Sequence, residues 1–405
     1  MDLPSHLDFH PRAGLPATAA RLAAGSPVTI AYFGGSITQA DGWRTGTFNW
    51  FKAAYPQVRF TEIMASIGGT GSDLGVYRMD KDVLAHQPDL MFVEFAVNDS
   101  NSTDDLVTGA MEGIVRKIRR SRPACEIIFI YTLNGSMTAD LREGKLHKAV
   151  VAHEKVAAHY GIPSIHVGLD VAKREGDGTL FFTGTGAAKA AHEAKGKLVF
   201  ARDTCHPHPE GHRLYTEAVT RRLPELLAAP RTTPTPLPPP LDAGQWEQSR
   251  MTPPQDFTLS PEWRRLEKND WPPIAWSADT LPELWVADKP GAVLEASFTG
   301  SAFGLFMVIG PACGQVEWTL DGQPPVITPL FDPFCSYYRP NYLLLAHHLE
   351  NKPHRIRIRL LADEPDKAAL LARQGAVIDF PERFKGTRFY LAAGLVTGTL
   401  SAARP

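Results

Sequence analysis

The chain has 405 residues and carries 42 Lys and Arg against 44 Asp and Glu, a formal net charge of -2. That balance excludes a nucleic-acid binder working through a broad basic field, and no Lys/Arg block marks a membrane-surface patch. With 43% hydrophobic and 21% charged residues and four scattered cysteines without a CxxC pair, it reads as a globular protein of two or three domains. Neither a disulfide scaffold nor a thiolate zinc site fits Cys125, Cys205, Cys313 and Cys335.

The opening MDLPSHLDFHPRAG lacks the basic-then-apolar pattern of a signal peptide, and no apolar run reaches the length of a membrane span. A cytoplasmic location with no membrane partner is expected, export staying open should a leader precede the sequence. From there, short apolar runs alternate with amphipathic ones. Candidate strands are Val28–Phe33, Val58–Met64, Leu90–Phe95, Ile127–Tyr131 and Ser164–Val167, each nearly continuously apolar as in parallel strands buried on both faces. Candidate helices are Thr45–Ala54, Leu74–His86, Asp104–Arg120, Glu143–His159 and Pro209–Leu227. This alternation predicts an α/β domain with a doubly wound parallel five-stranded sheet over residues 1–229, whose chemistry sits beyond the carboxyl ends of the strands.

The proline-rich PRTTPTPLPPPL predicts an extended, stiff linker over residues 230–244. Beyond it, over residues 245–405, Val293–Phe298, Ala302–Ile309, Gln315–Leu320, Pro325–Leu330 and Arg355–Leu361 read as strands. Arg355–Leu361 alternates basic with apolar residues, Asp321-Gly322 has the form of a hairpin turn, and a few helical residues are expected near Asp366–Arg373. A β-sandwich or jelly-roll-like domain is expected.

Four stretches are candidates for chemistry. In Ala31-Tyr32-Phe33-Gly34-Gly35-Ser36-Ile37-Thr38 a strand runs into two glycines and a serine, which either is a nucleophile or caps the next helix. Ile67-Gly68-Gly69-Thr70-Gly71-Ser72 follows the second strand, and its backbone N–H groups suit an anion or oxyanion. It is a poor dinucleotide fingerprint, because Leu74 stands where the third glycine belongs. After the third strand comes Phe95-Ala96-Val97-Asn98-Asp99, whose Asn98 either forms a turn or aims its amide at developing negative charge. Asp203-Thr204-Cys205-His206 spaces a carboxylate to orient an imidazole as general base. The nearby His208 and His212 raise a zinc reading, weakened by the lack of a carboxylate-rich motif, and Cys205 reads as a small packed residue.

As an ordered set, Ser36, Gly69, Asn98 and the Asp203/His206 pair resemble the SGNH hydrolases, also called the GDSL esterase/lipase family, over roughly residues 25 to 225. The departures are Gly34-Gly35-Ser36-Ile37 in place of Gly-Asp-Ser-Leu, Ala96 in place of a glycine, and Met64 and Ser66 in place of Asn and Gly. The last two leave the register at Gly69 open by a residue. The resemblance implies a flavodoxin-like sheet and a catalytic triad of Ser36, His206 and Asp203. It also implies an oxyanion hole of the Ser36 and Gly69 N–H groups and the Asn98 amide, with no metal or other cofactor.

The GGSIT form with an attached sandwich resembles the branch of carbohydrate esterases that deacetylate plant polysaccharide fragments. An acetylated oligosaccharide is then the expected substrate. A lipase or thioesterase, or a non-catalytic glycan-binding protein, are the alternatives, and the oligomeric state is left open. Asp41 and Trp43 are candidate sugar contacts, Trp43 equally a packing residue. Glu94, in an apolar strand, is expected to form an ion pair with Arg44 or Arg78. Phe334, Tyr337 and Tyr338 either reach a cleft or fill the sandwich core.

Overall fold

The structure, a computed structural model, describes residues 7–230, 236–244 and 246–401. The chain forms two compact units, Met1–Glu247 and Gln248–Pro405.

In chain order the first unit comprises β1 (Phe9–His10), α1 (Pro16–Ala23), β2 (Val28–Gly34), α2 (Ser36–Gln39), α3 (Trp43–Ala54), β3 (Phe60–Met64), α4 (Ser72–Asp82), β4 (Leu90–Glu94) and α5 (Asp104–Ser121). It continues with β5 (Glu126–Ile130), α6 (Met137–Arg142), α7 (Lys148–Tyr160), β6 (Ser164–Ile165), α8 (Leu169–Gly176), β7 (Leu180–Thr183), α9 (Gly186–Glu193), β8 (Leu198–Ala201) and α10 (Pro209–Leu227). The sheet order is β1-β6-β5-β4-β2-β3, and the five strands β2 to β6 are parallel as the alternation predicts. The sheet has a sixth strand, because Phe9 and His10 pair antiparallel with Ile165 and Ser164 at its edge. Two polar-flanked residues carry no periodic signal that sequence reasoning could use.

The central strand β4 is buried throughout, whereas β3 lies at the other edge and leaves Met64 45% exposed. The helix expected over Glu143–His159 is α7 alone and starts later, at Lys148, after a separate short helix, α6, that ends at Arg142. Gly144, at φ +72°, follows the end of α6, and α7 starts at Lys148 with the His147 Nδ1 accepting the Ala149 N–H at 3.3 Å. A separate excursion, β7-α9-β8, forms a two-stranded parallel sheet immediately before the Asp203–His206 loop.

Because β2 pairs with β3 on one side and β4 on the other, the crossovers diverge at its carboxyl end. That is the topological switch point, where open α/β sheets form their crevice. Ser36 stands there.

Trp43 does not contact substrate: it is fully buried, edge-on to Tyr32 at 5.7 Å and to Phe92 at 6.1 Å. It starts α3, and packing against the aromatic pair of β2 and β4 is what turns it inward. Glu94 is also buried but has no arginine partner. Its carboxylate accepts the hydroxyls of Thr38 at 2.7 Å and Thr132 at 2.6 Å. The two arginines are engaged elsewhere, Arg44 with Glu62 and Asp41, and Arg78 with Asp82 and the carbonyls of Gly34 and Ala65.

The described part of the proline-rich stretch lies along α5. Glu112 accepts the N–H groups of Leu241 at 2.6 Å and Asp242 at 2.8 Å, and Trp246 fills the space left by Gly109 and Gly113. These bonds give a segment without regular structure the backbone partners it lacks.

The second unit contains β9 (Ser249–Thr252), β10 (Thr258–Leu259), β11 (Trp263–Arg265), β12 (Trp285–Ala287), β13 (Val293–Ile309) and β14 (Gln315–Leu320). There follow β15 (Val326–Pro329), β16 (Arg339–Ala346), β17 (Lys352–Leu360), α11 (Lys367–Ala372), α12 (Pro381–Phe384) and β18 (Phe389–Leu400). All are antiparallel in one hydrogen-bonded network of 10 strands. The expected strands Val293–Phe298 and Ala302–Ile309 are one strand of 17 residues, β13. Its first half pairs with β17 and its second with β16 along the same edge, while β18 takes the other edge. The sheet therefore forks at β13. Burial alternates before Gly300 and is complete on both faces after it, the signature of a strand entering a sandwich core. Asp321 and Gly322 both have positive φ at the turn after β14, as a type I′ turn demands. Phe334 is exposed, whereas Tyr337 packs on Trp276 at 5.0 Å and Tyr338 on Tyr390 at 5.9 Å.

Two consequences are measurable. Trp43→Ala is expected to destabilise the first unit by about 3–5 kcal/mol in denaturant unfolding, the cost of deleting a core aromatic. A loss of sugar affinity without loss of stability would contradict its placement. Burial raises the Glu94 pKa, opposed by the Thr132 and Thr38 hydroxyls. The folded state then holds a proton that the unfolded chain has released, so stability falls as pH rises from the ordinary carboxylate range to the raised value. Unfolding free energies of the native protein relative to Glu94→Gln are expected to decline over that window, and a flat difference would contradict the shift.

Candidate active site

The site begins where β2 ends. Gly34 and Gly35 carry the chain into α2, whose first residue is Ser36. No room exists for a side chain at residue 35, since a Cβ there would lie 1.9 Å from Asn98 Oδ1. Glycine thus lets the Asn98 amide close against the backbone beside Ser36. On the other side Gly68 approaches Ser36, an added Cβ falling 3.5 Å from the serine Cβ. Its N–H is engaged by Gln39 Oε1 at 3.0 Å. Gly69 adopts φ +72°, a left-handed conformation natural to glycine.

Three donors in this region have no hydrogen-bond acceptor among the described residues: the N–H groups of Ser36 and Gly69 and the Asn98 side-chain amide. Gly69 is exposed and Ser36 and Asn98 are half-buried, so these donors are open to a ligand oxygen that arrives beside the serine.

Ser36 Oγ lies 2.8 Å from His206 Nε2, and His206 Nδ1 lies 2.8 Å from Asp203 Oδ2. The loop carrying the last two is held by its own backbone. Asp203 Oδ1 accepts the N–H groups of His206 at 2.7 Å and Cys205 at 2.9 Å, and Arg202 N–H bonds to His206 O at 3.0 Å. The β7-α9-β8 excursion braces the same loop, with the Thr183 hydroxyl on Asp203 O at 2.9 Å and His208 Nε2 on Gly184 O at 2.8 Å. Partial burial by itself raises the Asp203 pKa, but the bonds from the His206 and Cys205 N–H groups and from the imidazole outweigh it and hold it at about 2. The carboxylate is ionised at any pH near neutrality and fixes the proton on Nδ1, leaving Nε2 to accept from Ser36.

The other candidates have different work. His212 is buried, its Nδ1 accepts the Trp43 N–H at 3.3 Å, and burial lowers its pKa to about 4. His208 is bound to Gly184, so the two histidines do not converge on an ion. Burial, and after it the Asp203 charge, raise the Cys205 thiol to about 11, which leaves it protonated and a poor nucleophile. Asp41 is 92% exposed and bonds Arg44 at 3.0 Å.

Sequence reasoning missed Asp99. Buried beside Asn98, it accepts the Ser72 N–H at 2.9 Å and meets His153 Nε2 at 2.8 Å, tying the Gly69 loop to the Asn98 turn. A carboxylate directly after Asn98 was the available signal, but its partners come from α4 and α7.

Residues 32–214 match the GDSL-like Lipase/Acylhydrolase family. Two crystal structures of a two-domain esterase active on acetylated mannans, one co-crystallised with mannopentaose, share 21% identity with the chain. The mannopentaose structure covers 100% of both chains at a TM-score of 0.75, the other 99% of this chain and 100% of its own at 0.74. An acetylxylan esterase from Geobacillus stearothermophilus covers 48% of this chain and 94% of its own at 17% identity and a TM-score of 0.38. No curated protein sequence matches the chain. At such identity the two-domain structures establish the shared fold of the α/β and β-rich units. The family match over residues 32–214 falls within the first unit, which is a carboxylic ester hydrolase.

Proposed function

We propose that the protein is a serine acetylesterase that removes O-acetyl groups from a carbohydrate, with mannan- or xylan-type oligosaccharides as the substrate class. The observation that carries the chemistry is the continuous relay from Ser36 through His206 to Asp203, each link 2.8 Å. The carbohydrate assignment is supported by full-length likeness to an esterase active on acetylated mannans.

Ser36 Oγ attacks the acetyl carbonyl while His206 Nε2 takes its proton. Asp203 holds the ring in the required tautomer and stabilises the imidazolium. The oxyanion is met by the N–H groups of Ser36 and Gly69 and the Asn98 amide, donors already in place before charge develops. His206 then returns its proton to the sugar alkoxide as the C–O bond breaks, leaving an acetyl-Ser36 ester. Water, deprotonated by the same imidazole, releases acetate and restores Ser36. Asp41, exposed beside α3, is the residue we assign to a sugar hydroxyl.

Acetate release from 4-nitrophenyl acetate and from acetylated manno- and xylo-oligosaccharides is the direct test. Ser36→Ala is expected to reduce turnover on each by about 10⁴-fold or more with the fold intact. Activity on the aryl ester alone would retain the chemistry and discard the carbohydrate assignment. Unchanged activity in Ser36→Ala would remove the triad.

Gly35→Ala pushes the flexible Asn98 amide aside without touching the triad, so it should mimic Asn98→Ala. Both are expected to lower kcat by about 10²–10³-fold with little change in KM. A Gly35→Ala enzyme of normal kcat would separate Asn98 from the reaction.

A further inference from the structure

We propose that Asp203, Cys205 and His206 form an inhibitory site for a soft divalent cation such as Zn²⁺, which captures the imidazole and switches the esterase off. The regulatory consequence rests on the proposed triad; the binding site itself does not.

The donor atoms of these three side chains lie within 4.8 Å of one another. Cys205 Sγ is 3.4 Å from His206 Nδ1. Tetrahedral zinc, with bonds of roughly 2.3 Å to sulfur and 2.0 Å to nitrogen, places those two ligands about 3.5 Å apart. The sulfur is also 3.9 Å from Nε2 and so lies over the ring face, from which the Cys205 side chain turns about χ1 to reach an ion held in the ring plane. The Asp203–His206 pair, at 2.8 Å, has to open by only about half an ångström to admit the ion.

Thiolate, imidazole and carboxylate are the donor types zinc takes, and three of them leave a fourth position to water. Access is direct, the side chains of His206 and Asp203 being 30% and 46% exposed. Cys205 is suited to this role because its sulfur faces the imidazole, whereas Cys125, Cys313 and Cys335 are buried.

Coordination at Nδ1 explains the inhibition. A neutral imidazole bound through Nδ1 carries its remaining proton on Nε2. Nε2 then donates to Ser36 Oγ and cannot accept its proton. As the S–Zn bond forms, the Cys205 thiol proton passes to solvent. Removing the ion returns both protons to their former places.

Two measurements test this on the full chain. Zn²⁺ titrated against 4-nitrophenyl acetate hydrolysis is expected to inhibit reversibly and saturably, with activity restored by EDTA. Cys205→Ala and Cys205→Ser keep the backbone N–H that Asp203 uses. They are expected to retain metal-free activity and to need at least the roughly tenfold more Zn²⁺ that even an outer-sphere partner is worth. Separately, Cd²⁺ added to Ser36→Ala is expected to give thiolate-to-metal ultraviolet absorption saturating at one ion per chain, absent from Ser36→Ala/Cys205→Ala. Absence of that band, or equal Zn²⁺ inhibition of the cysteine variants, overturns the site. The band in a protein without esterase activity keeps the site and removes the esterase reading; activity without the band does the reverse.

Discussion

The guanidinium of Arg78 sits against the ring of Phe33 at 4.4 Å, fully buried, and donates to the carbonyls of Gly34 and Ala65. Those two carbonyls end the strands from which the Ser36 and Gly69 loops depart. A charge in such a place needs a counter-charge as well as acceptors, and Asp82 supplies it at 3.0 Å. The arginine thereby sets the distance between two loops that no direct strand pairing continues to hold. Ile67 N–H on Gly34 O at 3.1 Å adds a second tie across the same gap.

Around that clamp the carboxylates divide by environment. Asp203 lies partly in solvent, collects backbone N–H donors and remains ionised. Glu94 is buried among hydroxyls, and its pKa is displaced upward. Asp99 is buried too, but it faces a histidine and a helix N-terminal N–H, and it links the loops on either side of the oxyanion donors. Chemically identical groups thus have different duties because desolvation and donor count differ at each place.

The second unit solves a different problem. A β-rich domain must cover both faces of its central strands, and β13 does so by changing partners midway, from β17 to β16, so that two layers share one strand. Its alternating first half faces solvent on one side, where Arg355 and Arg357 pair with Glu295 across the ladder. The apolar second half is enclosed. The polar-apolar rhythm of Arg355–Leu361 foretold one solvated face, but nothing local announced that two apolar segments flanking Gly300 are a single strand.

By itself the sequence determined the alternation of buried strands and amphipathic helices, and with it the parallel sheet. It also determined the order in which Ser36, the Gly68-Gly69 turn, Asn98 and Asp203-x-x-His206 follow successive strands, because a strand end is a local event and a doubly wound sheet gathers strand ends. The Asp203–His206 contact was legible for the same reason, spanning three residues. Trp43, by contrast, is as suited to a sugar as to a core, and only its neighbours Tyr32 and Phe92 decided for the core. Glu94 was legible as a buried carboxylate, yet its partners, Thr38 and Thr132, are hydroxyls from α2 and from the loop after β5 rather than arginines. The closeness of Gly35 to Asn98 and of Arg78 to two strand ends belongs to the tertiary structure alone. Each depends on how far apart two distant segments come to rest, and packing sets that distance where local propensity cannot.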